Sequence, residues 1–341
     1  MYGMNRRSII VAAGAFGLAA FAGPSFAADS VDMAAAKKDG SVVWYTSTPI
    51  KTAQKLANAF EAKYGVKVEL FRSGGTAILR RFMQEKSAGQ IAADVLTTSD
   101  PAAMSEMAAA GTFVPFRPEG VDKIPAALQD PKGYWIAQRV NAITIYGRTD
   151  MVPEDQMPAT WSALTDAKYK GKLVMTDPSF TSLQLGVVAM TSKDRGWGFY
   201  EKLRANDTMI VPGNQQALDM VKRGERAIAA GASVAYAIKA REEGHPIAIV
   251  YPKDGTFVIA SPTAIIKGSP HPNAAKLLAA YMVSPDAQKI LPEGGDYAAR
   301  TDIAPPAGSP PLGEMKILPL DFDYIVANSA QVKKKFNEVF Q

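Results

Sequence analysis

The sequence predicts an α/β fold, a parallel sheet with helices on both faces, laid out as two successive units. Three observations carry the prediction. Strand-like and helix-like segments alternate from Ser41 to Thr98, the pattern of parallel strands joined by crossover helices. A second alternating unit begins near Tyr134. The first three strands each end in a small polar tip, Thr46-Ser47-Thr48, Ser73-Gly74-Gly75-Thr76 and Thr97-Thr98-Ser99. In open α/β sheets ligands gather at such carboxyl ends, so the tips are expected to share one cleft.

Taken in order, the chain opens with Arg6 and Arg7, an apolar stretch from Ile9 to Ala22, and Gly23-Pro24-Ser25-Phe26-Ala27. This pattern predicts a signal peptide over residues 1–27: the apolar run is short for a bilayer, and Ser25 and Ala27 offer the small residues that a signal protease accepts. The paired arginines followed by Ser8-Ile9-Ile10 fit a twin-arginine route as well as the general secretory one. Either route predicts export to the periplasm.

Ser41 to Tyr45 reads as a strand, Ile50 to Tyr64 as a helix and Val66 to Phe71 as a second strand. In the following helix Ile78, Leu79, Phe82 and Met83 fall on one face, with Arg80, Arg81 and Glu85 on the other. Asp94 to Thr98 reads as the next strand. In the second unit Ile143 to Tyr146 and Lys172 to Thr176 read as strands, and Asp177 to Ser182 as a loop capping the next helix. Ala227 to Ala230 is strand-like, Ser233 to Glu243 helical, Ile247 to Tyr251 a strand, and Phe257 to Ala260 a strand carrying the chain back to the first unit. Proline places Pro305 to Pro311 in a loop. There is no internal repeat.

Composition narrows the function classes. Past the predicted signal, roughly 310 residues suit one large or two medium domains with real cores. The formal charge of +5 includes the two signal arginines, and the remaining charge is dispersed except for Lys333-Lys334-Lys335, which reads as a solvated helix face rather than a nucleic-acid or lipid patch. With no cysteine, the chain has no disulfide, zinc–thiolate or thiol-nucleophile chemistry. His245 and His271 each precede proline and have no second histidine at helical spacing, so a metal or base role is not supported and both are expected to face solvent. Neither a serine-hydrolase elbow, nor a His-Glu-x-x-His helix, nor a phosphate-binding glycine–lysine loop is present.

The Ser73–Thr76 loop is the strongest candidate for binding. A small-residue loop between strand and helix leaves backbone N–H groups free at the positive end of the helix dipole, a seat for an anion. The same residues equally suit a cap and turn without ligand.

In sequence order, Trp44-Tyr45-Thr46-Ser47, Ser73-Gly74-Gly75, Ala93-Asp94-Val95, Pro158 to Asp166, Tyr169-Lys170-Gly171-Lys172, Asp177-Pro178-Ser179, Ala274-Ala275-Lys276, Ser284 to Gln288 and Tyr297 to Arg300 resemble the extracellular solute-binding proteins of bacterial ABC transporters. The resemblance is to the branch containing ferric-iron, sugar-phosphate and phosphonate binders. It implies a two-lobed periplasmic binding protein fold of type II-like form, with the ligand cleft between lobes that close on the solute. Lobe one would comprise residues 28–140 plus 255–312, and lobe two 141–254 plus 313–341. It further implies a monomer without cofactor, delivering a small anionic solute to an inner-membrane permease. Nucleic acid is not an expected partner.

The resemblance places Ser47, Thr48, Ser73, Gly74, Gly75, Thr76 and Ser99 of lobe one at the cleft, the loops to which the strand tips also point. Thr48 before Pro49 and Ser99 before Asp100-Pro101 also fit plain helix starts. From lobe two, Thr181 and Ser182 present hydroxyls and helix amides to the opposite side of the anion, and Asp177 either accepts from the ligand or caps its own turn with Pro178. Asn214 and Gln215 read as helix-cap residues. Ferric-binding members carry two adjacent tyrosines where this chain reads Ser233-Val234-Ala235-Tyr236-Ala237, so Tyr236 is expected to donate to an anion or to pack in its helix. The expected cargo is an organophosphonate, phosphorylated metabolite or carboxylate, held by uncharged amides and hydroxyls. Ferric iron held by Tyr236, a carboxylate and a synergistic anion is the alternative. A secreted hydrolase is a remote one, and a sensory role for the same receptor is not separable by sequence.

Overall fold

Two long strands, Ile136–Arg148 and Thr256–Ile266, run through the middle of the sheet and belong to both of its halves. The computed structural model describes residues 28–341; the expected signal segment lies outside them. On one side of the long pair, Val95–Thr97, Ser41–Thr46 and Lys67–Arg72 lie parallel to one another. On the other side, Ile228–Ser233, Leu173–Thr176 and Met209–Val211 do the same. The long strands are antiparallel to each other and to both neighbours. The alternation predicts a parallel sheet; the central pair departs from it, because a strand that carries the chain from one lobe and a strand that carries it back run in opposite directions through the same layer. Ile136 to Gly147 are buried throughout, so this strand lacks the alternation that a half-exposed strand would show.

The register fixes where the lobes meet. Thr97 pairs with Thr263, and Ser233 with Ile143, so the two sets of strands approach from opposite directions. Their carboxyl ends stop on either side of Arg139 to Asn141.

Each lobe has its own core. In the first, the helix Ile50–Tyr64 buries Ala53, Leu56, Ala57 and Phe60, and full burial of Leu56 or Phe60 contributes about 1.5–3 kcal/mol. Gly65 ends this helix at φ +70°, its N–H returning to Glu61 O, a left-handed stop that glycine takes without steric penalty. Trp44, Leu278 and Tyr281 pack into the same cluster. In the second lobe Trp161, Tyr200 and Ile145 pack with Phe336 of the C-terminal helix Phe322–Phe340. In the helix Gly75–Ser87, Ile78 and Phe82 are buried as expected, but Met83 is 43% exposed. Arg81 on this helix stacks 4.0 Å from the Phe71 ring and bonds Glu85. His271 does not simply face solvent: its backbone N–H donates to Asp94 Oδ1 at 2.8 Å, and its ring Nδ1 lies 2.9 Å from Oδ2.

Candidate functional site

Four helices start at the junction of the lobes without a side-chain cap: Gly75–Ser87, Ser182–Arg195, Asn214–Lys222 and Val234–Glu242. Asp32, Asp100, Ser284 and Asp321 cap four other helices with their side chains, whereas Ile50–Tyr64, Gly198–Ala205 and Pro272–Met282 also start without such a bond from the N-cap residue. What sets the four apart is that they converge, each uncapped start keeping its first N–H groups available and its positive dipole end open. Ser73 and Thr76 therefore do not serve as the cap of their helix; the N-cap is Gly74, at φ −65° and ψ 148°.

These starts enclose a cavity of about 240 Å³. Lobe one supplies Ser47, Arg72, Ser73, Gly74, Gly75 and Ser99, while lobe two supplies Phe180, Thr181, Ser182, Asn214, Ser233 and Tyr236. The walls are in contact, because a Cβ at Gly74 would stand 2.3 Å from Phe180 O and one at Gly75 2.2 Å from Ser182 Oγ. Only glycine lets the backbones approach this closely.

Arg139 and Asn141, both buried on the crossing strand, form the floor. Arg139 Nη1 donates to Asp296 Oδ1 at 2.9 Å and also bonds Asn141 Oδ1, while Nη2 reaches Ser99 Oγ at 3.3 Å. Asn141 Nδ2 donates to Ser261 Oγ at 2.8 Å and to Ile259 O at 2.9 Å. Burial pushes the Asp296 carboxyl up, and the adjacent guanidinium opposes that rise. Thus the floor is a wired polar network in which the charge of Arg139 is offset.

Arg72 differs. It ends the strand Lys67–Arg72, its Nε donating to Thr48 O and Nη2 to Tyr236 Oη, both at 3.2 Å. Among the described residues no carboxylate lies within ion-pair range of it, so its charge is unmatched in the cavity. The bond to Tyr236 also crosses from one lobe to the other. Burial raises the pKa of the Tyr236 phenol, outweighing the pull of Arg72, so at neutral pH it is a neutral hydroxyl.

Eight of the residues expected from sequence line the cavity: Ser47, Ser73, Gly74, Gly75, Ser99, Thr181, Ser182 and Tyr236. Three do not. Thr48 is fully buried, its hydroxyl taking a bond from Thr46 Oγ1 at 2.9 Å and giving one to Gln138 Oε1 at 3.2 Å. Thr76 lies one step further round its helix and faces a separate pocket with Leu79, Asp100 and Lys333. Asp177 is 7% exposed and accepts from Ser179 N at 2.6 Å, the turn-capping role rather than the ligand one. Asn214 caps no helix; its Oδ1 accepts from Ser233 N at 3.0 Å on the cavity wall.

Sequence reasoning missed Arg72, Arg139 and Asn141, and with them the charged character of the site: the donors are not all neutral. The signals were available. Arg72 is the last strand residue before the glycine loop, and Gln138-Arg139-Val140-Asn141 interrupts an apolar strand with polar residues at two-residue spacing.

Residues 55–313 match the family model described as bacterial extracellular solute-binding protein. The chain is 24% identical over 312 residues to "Iron uptake protein A1" of Synechocystis sp., covering 86% of this chain and 85% of that one. It is 25% identical over 278 residues to the "Putative 2-aminoethylphosphonate-binding periplasmic protein" of Salmonella paratyphi A, covering 78% and 77%. The solved structure of the periplasmic binding protein AfuA from Actinobacillus pleuropneumoniae, with exogenous fructose-6-phosphate bound, superposes with a TM-score of 0.77 at 23% identity over 88% of this chain and 97% of that one. At that identity the likeness concerns the fold.

Proposed function

The chain belongs to the bacterial extracellular solute-binding proteins, the receptors that capture solutes for ABC importers, and we propose that its own solute is a small organic anion. An organophosphonate, a phosphorylated metabolite or a carboxylate has the right chemistry. The single observation that carries this reading is Arg72, an unmatched guanidinium in a cavity walled by four open helix starts. Guanidinium and helix N–H groups both donate to acidic oxygens, and charge-assisted bonds of this kind are the strong ones. One anion touching both lobes stabilises the closed arrangement over the open one by its differential contacts, which is all a binding event needs to drive closure.

In this reading the protein works in the periplasm, as the Salmonella relative does by its name, hands its cargo to an inner-membrane permease, and catalyses nothing. Iron appears in the names of some relatives, but the cavity fits it less well. Among the described residues Tyr236 is the one tyrosine lining it, no carboxylate lines it, and no cluster of three or more histidine, cysteine, aspartate or glutamate side chains could hold a metal. A hard trivalent cation beside Arg72 would meet like charge. The test is calorimetry and thermal shift on the mature protein with a panel of phosphonates, phosphate esters, carboxylates and ferric salts. At least one acid is expected to bind and raise Tm; a rise with ferric salt and with none of the acids would overturn the assignment.

A further inference from the structure

We infer that the solute carries no ammonium group: it is an acid whose remainder is neutral and polar, and the cavity discriminates against zwitterions of the same size. This rests on the anion reading above and adds to it the chemistry of the ligand's other end. The charges in and around the cavity support it. Among the described residues no carboxylate lines the space, while one guanidinium, Arg72, stands unmatched in it. Asp296, behind the floor, is 1% exposed, does not line the space, and pairs through Oδ1 with Arg139 while its Oδ2 is buried without a partner.

Beyond Tyr236 lies a second chamber of about 470 Å³ whose walls carry Glu242, Glu243 and Glu293. Each of these is taken as well. Glu243 pairs with Lys51 at 3.0 Å and Lys222 at 2.9 Å, Glu293 with Lys55 at 3.7 Å, and Glu242 with Lys239. Asp177 is occupied by its own turn. An ammonium enclosed with the anion would therefore leave water for a place with no counter-charge and with Arg72 as a like-charged neighbour. What the lobe-two wall offers besides Tyr236 is amide and hydroxyl chemistry, from Asn214, Gln215 and Ser233 among others, suited to a hydroxyl or carbonyl. Specificity would thus come from a missing partner rather than from an added contact.

Matched probes of equal size test this on the full mature protein by calorimetry at pH 7. The pairs are 2-hydroxyethylphosphonate with 2-aminoethylphosphonate, and 3-hydroxypropionate with 3-aminopropionate. In whichever acid class binds, the hydroxyl member is expected to bind tighter by about tenfold or more. Asn214→Asp keeps the acceptor that holds Ser233 N and adds the absent carboxylate, so it is expected to shrink or reverse that gap. Equal or tighter binding of the amino member by the unaltered protein would overturn the inference and leave the anion reading intact. If no member of either pair binds while ferric salt does, the anion reading itself fails and the inference with it.

Discussion

Replacing Gly74 with alanine separates closure from folding. At φ −65° and ψ 148° the backbone is extended and suits any residue, so the lobe that carries it should fold unchanged. In the closed arrangement, however, the new Cβ would stand 2.3 Å from Phe180 O and 3.2 Å from its carbonyl carbon. That oxygen is backbone and has no rotamer to escape into. Restoring an ordinary contact means parting the lobes by about 1 Å at this point. A donor on the Ser182 helix that reached the solute at about 2.9 Å would then stand near 3.9 Å, beyond hydrogen bonding. Losing one or two charge-assisted bonds removes about 3 kcal/mol, which corresponds to roughly a 100-fold weaker Kd. Gly75→Ala makes a useful contrast: its Cβ would meet the side-chain oxygens Ser182 Oγ and Thr98 Oγ1, which can rotate, and Ser182 Cβ at 3.2 Å, which needs only a few tenths of an ångström, so the loss should be smaller. Calorimetry with the tightest acid of the panel reads the affinity, and the unliganded Tm reports the fold. If Gly74→Ala binds within threefold of the parent, the apposition of Gly74 and Phe180 has no part in binding and the reasoning is wrong.

Three further outcomes follow from the geometry. Arg72→Gln keeps a donor but removes the unmatched charge, and should weaken acid binding by about 2–4 kcal/mol with little change in unliganded Tm; unchanged calorimetric affinity would take Arg72 out of the site. Arg139→Met strands Asp296 as a buried carboxylate without its partner, 1% exposed, and should destabilise the fold by about 3–5 kcal/mol in urea unfolding, whereas adding Asp296→Asn should recover a large part of it. Glu243, which joins Lys51 of one lobe to Lys222 of the other, is held down from 4.5 to about 2 mainly by those two hydrogen bonds. A depressed carboxyl stabilises above its unfolded value and loses that contribution as pH falls from about 4.5 to 2, so Glu243→Gln should flatten the stability profile in that window, by no more than about 1 kcal/mol because the pair is solvated.

The legible part of this fold was whatever local pattern determines. Alternating apolar runs placed the first parallel set and two strands of the second, Leu173–Thr176 and Ile228–Ser233, but not Met209–Val211, and the glycine loop after Phe71 pointed to a helix start that does open onto the cavity. The antiparallel central strands were less legible, since Ile143 to Tyr146 and Phe257 to Ala260 were read as short pieces of strands that run over thirteen and eleven residues. Nothing local says that a strand passes between two lobes. The site divided along the same line. Ser73, Gly74 and Ser182 follow from their position at helix starts, whereas Thr48 and Asp177 were lost to internal bonds that only the folded chain reveals. Thr76 was lost to helix phase, a turn of one residue that moves a side chain to the other face. Arg72 carried a positional signal just before the glycine loop, but the lack of an acid among its partners is visible only in the folded chain.

Native mass spectrometry of the mature protein taken from its own host reads the cargo directly. A single small acid retained by the parent and lost from Arg72→Gln is the expected result. Retention of a ferric ion, or of a cationic or uncharged solute that survives the Arg72 replacement, would contradict the claim that this cleft closes on an anion.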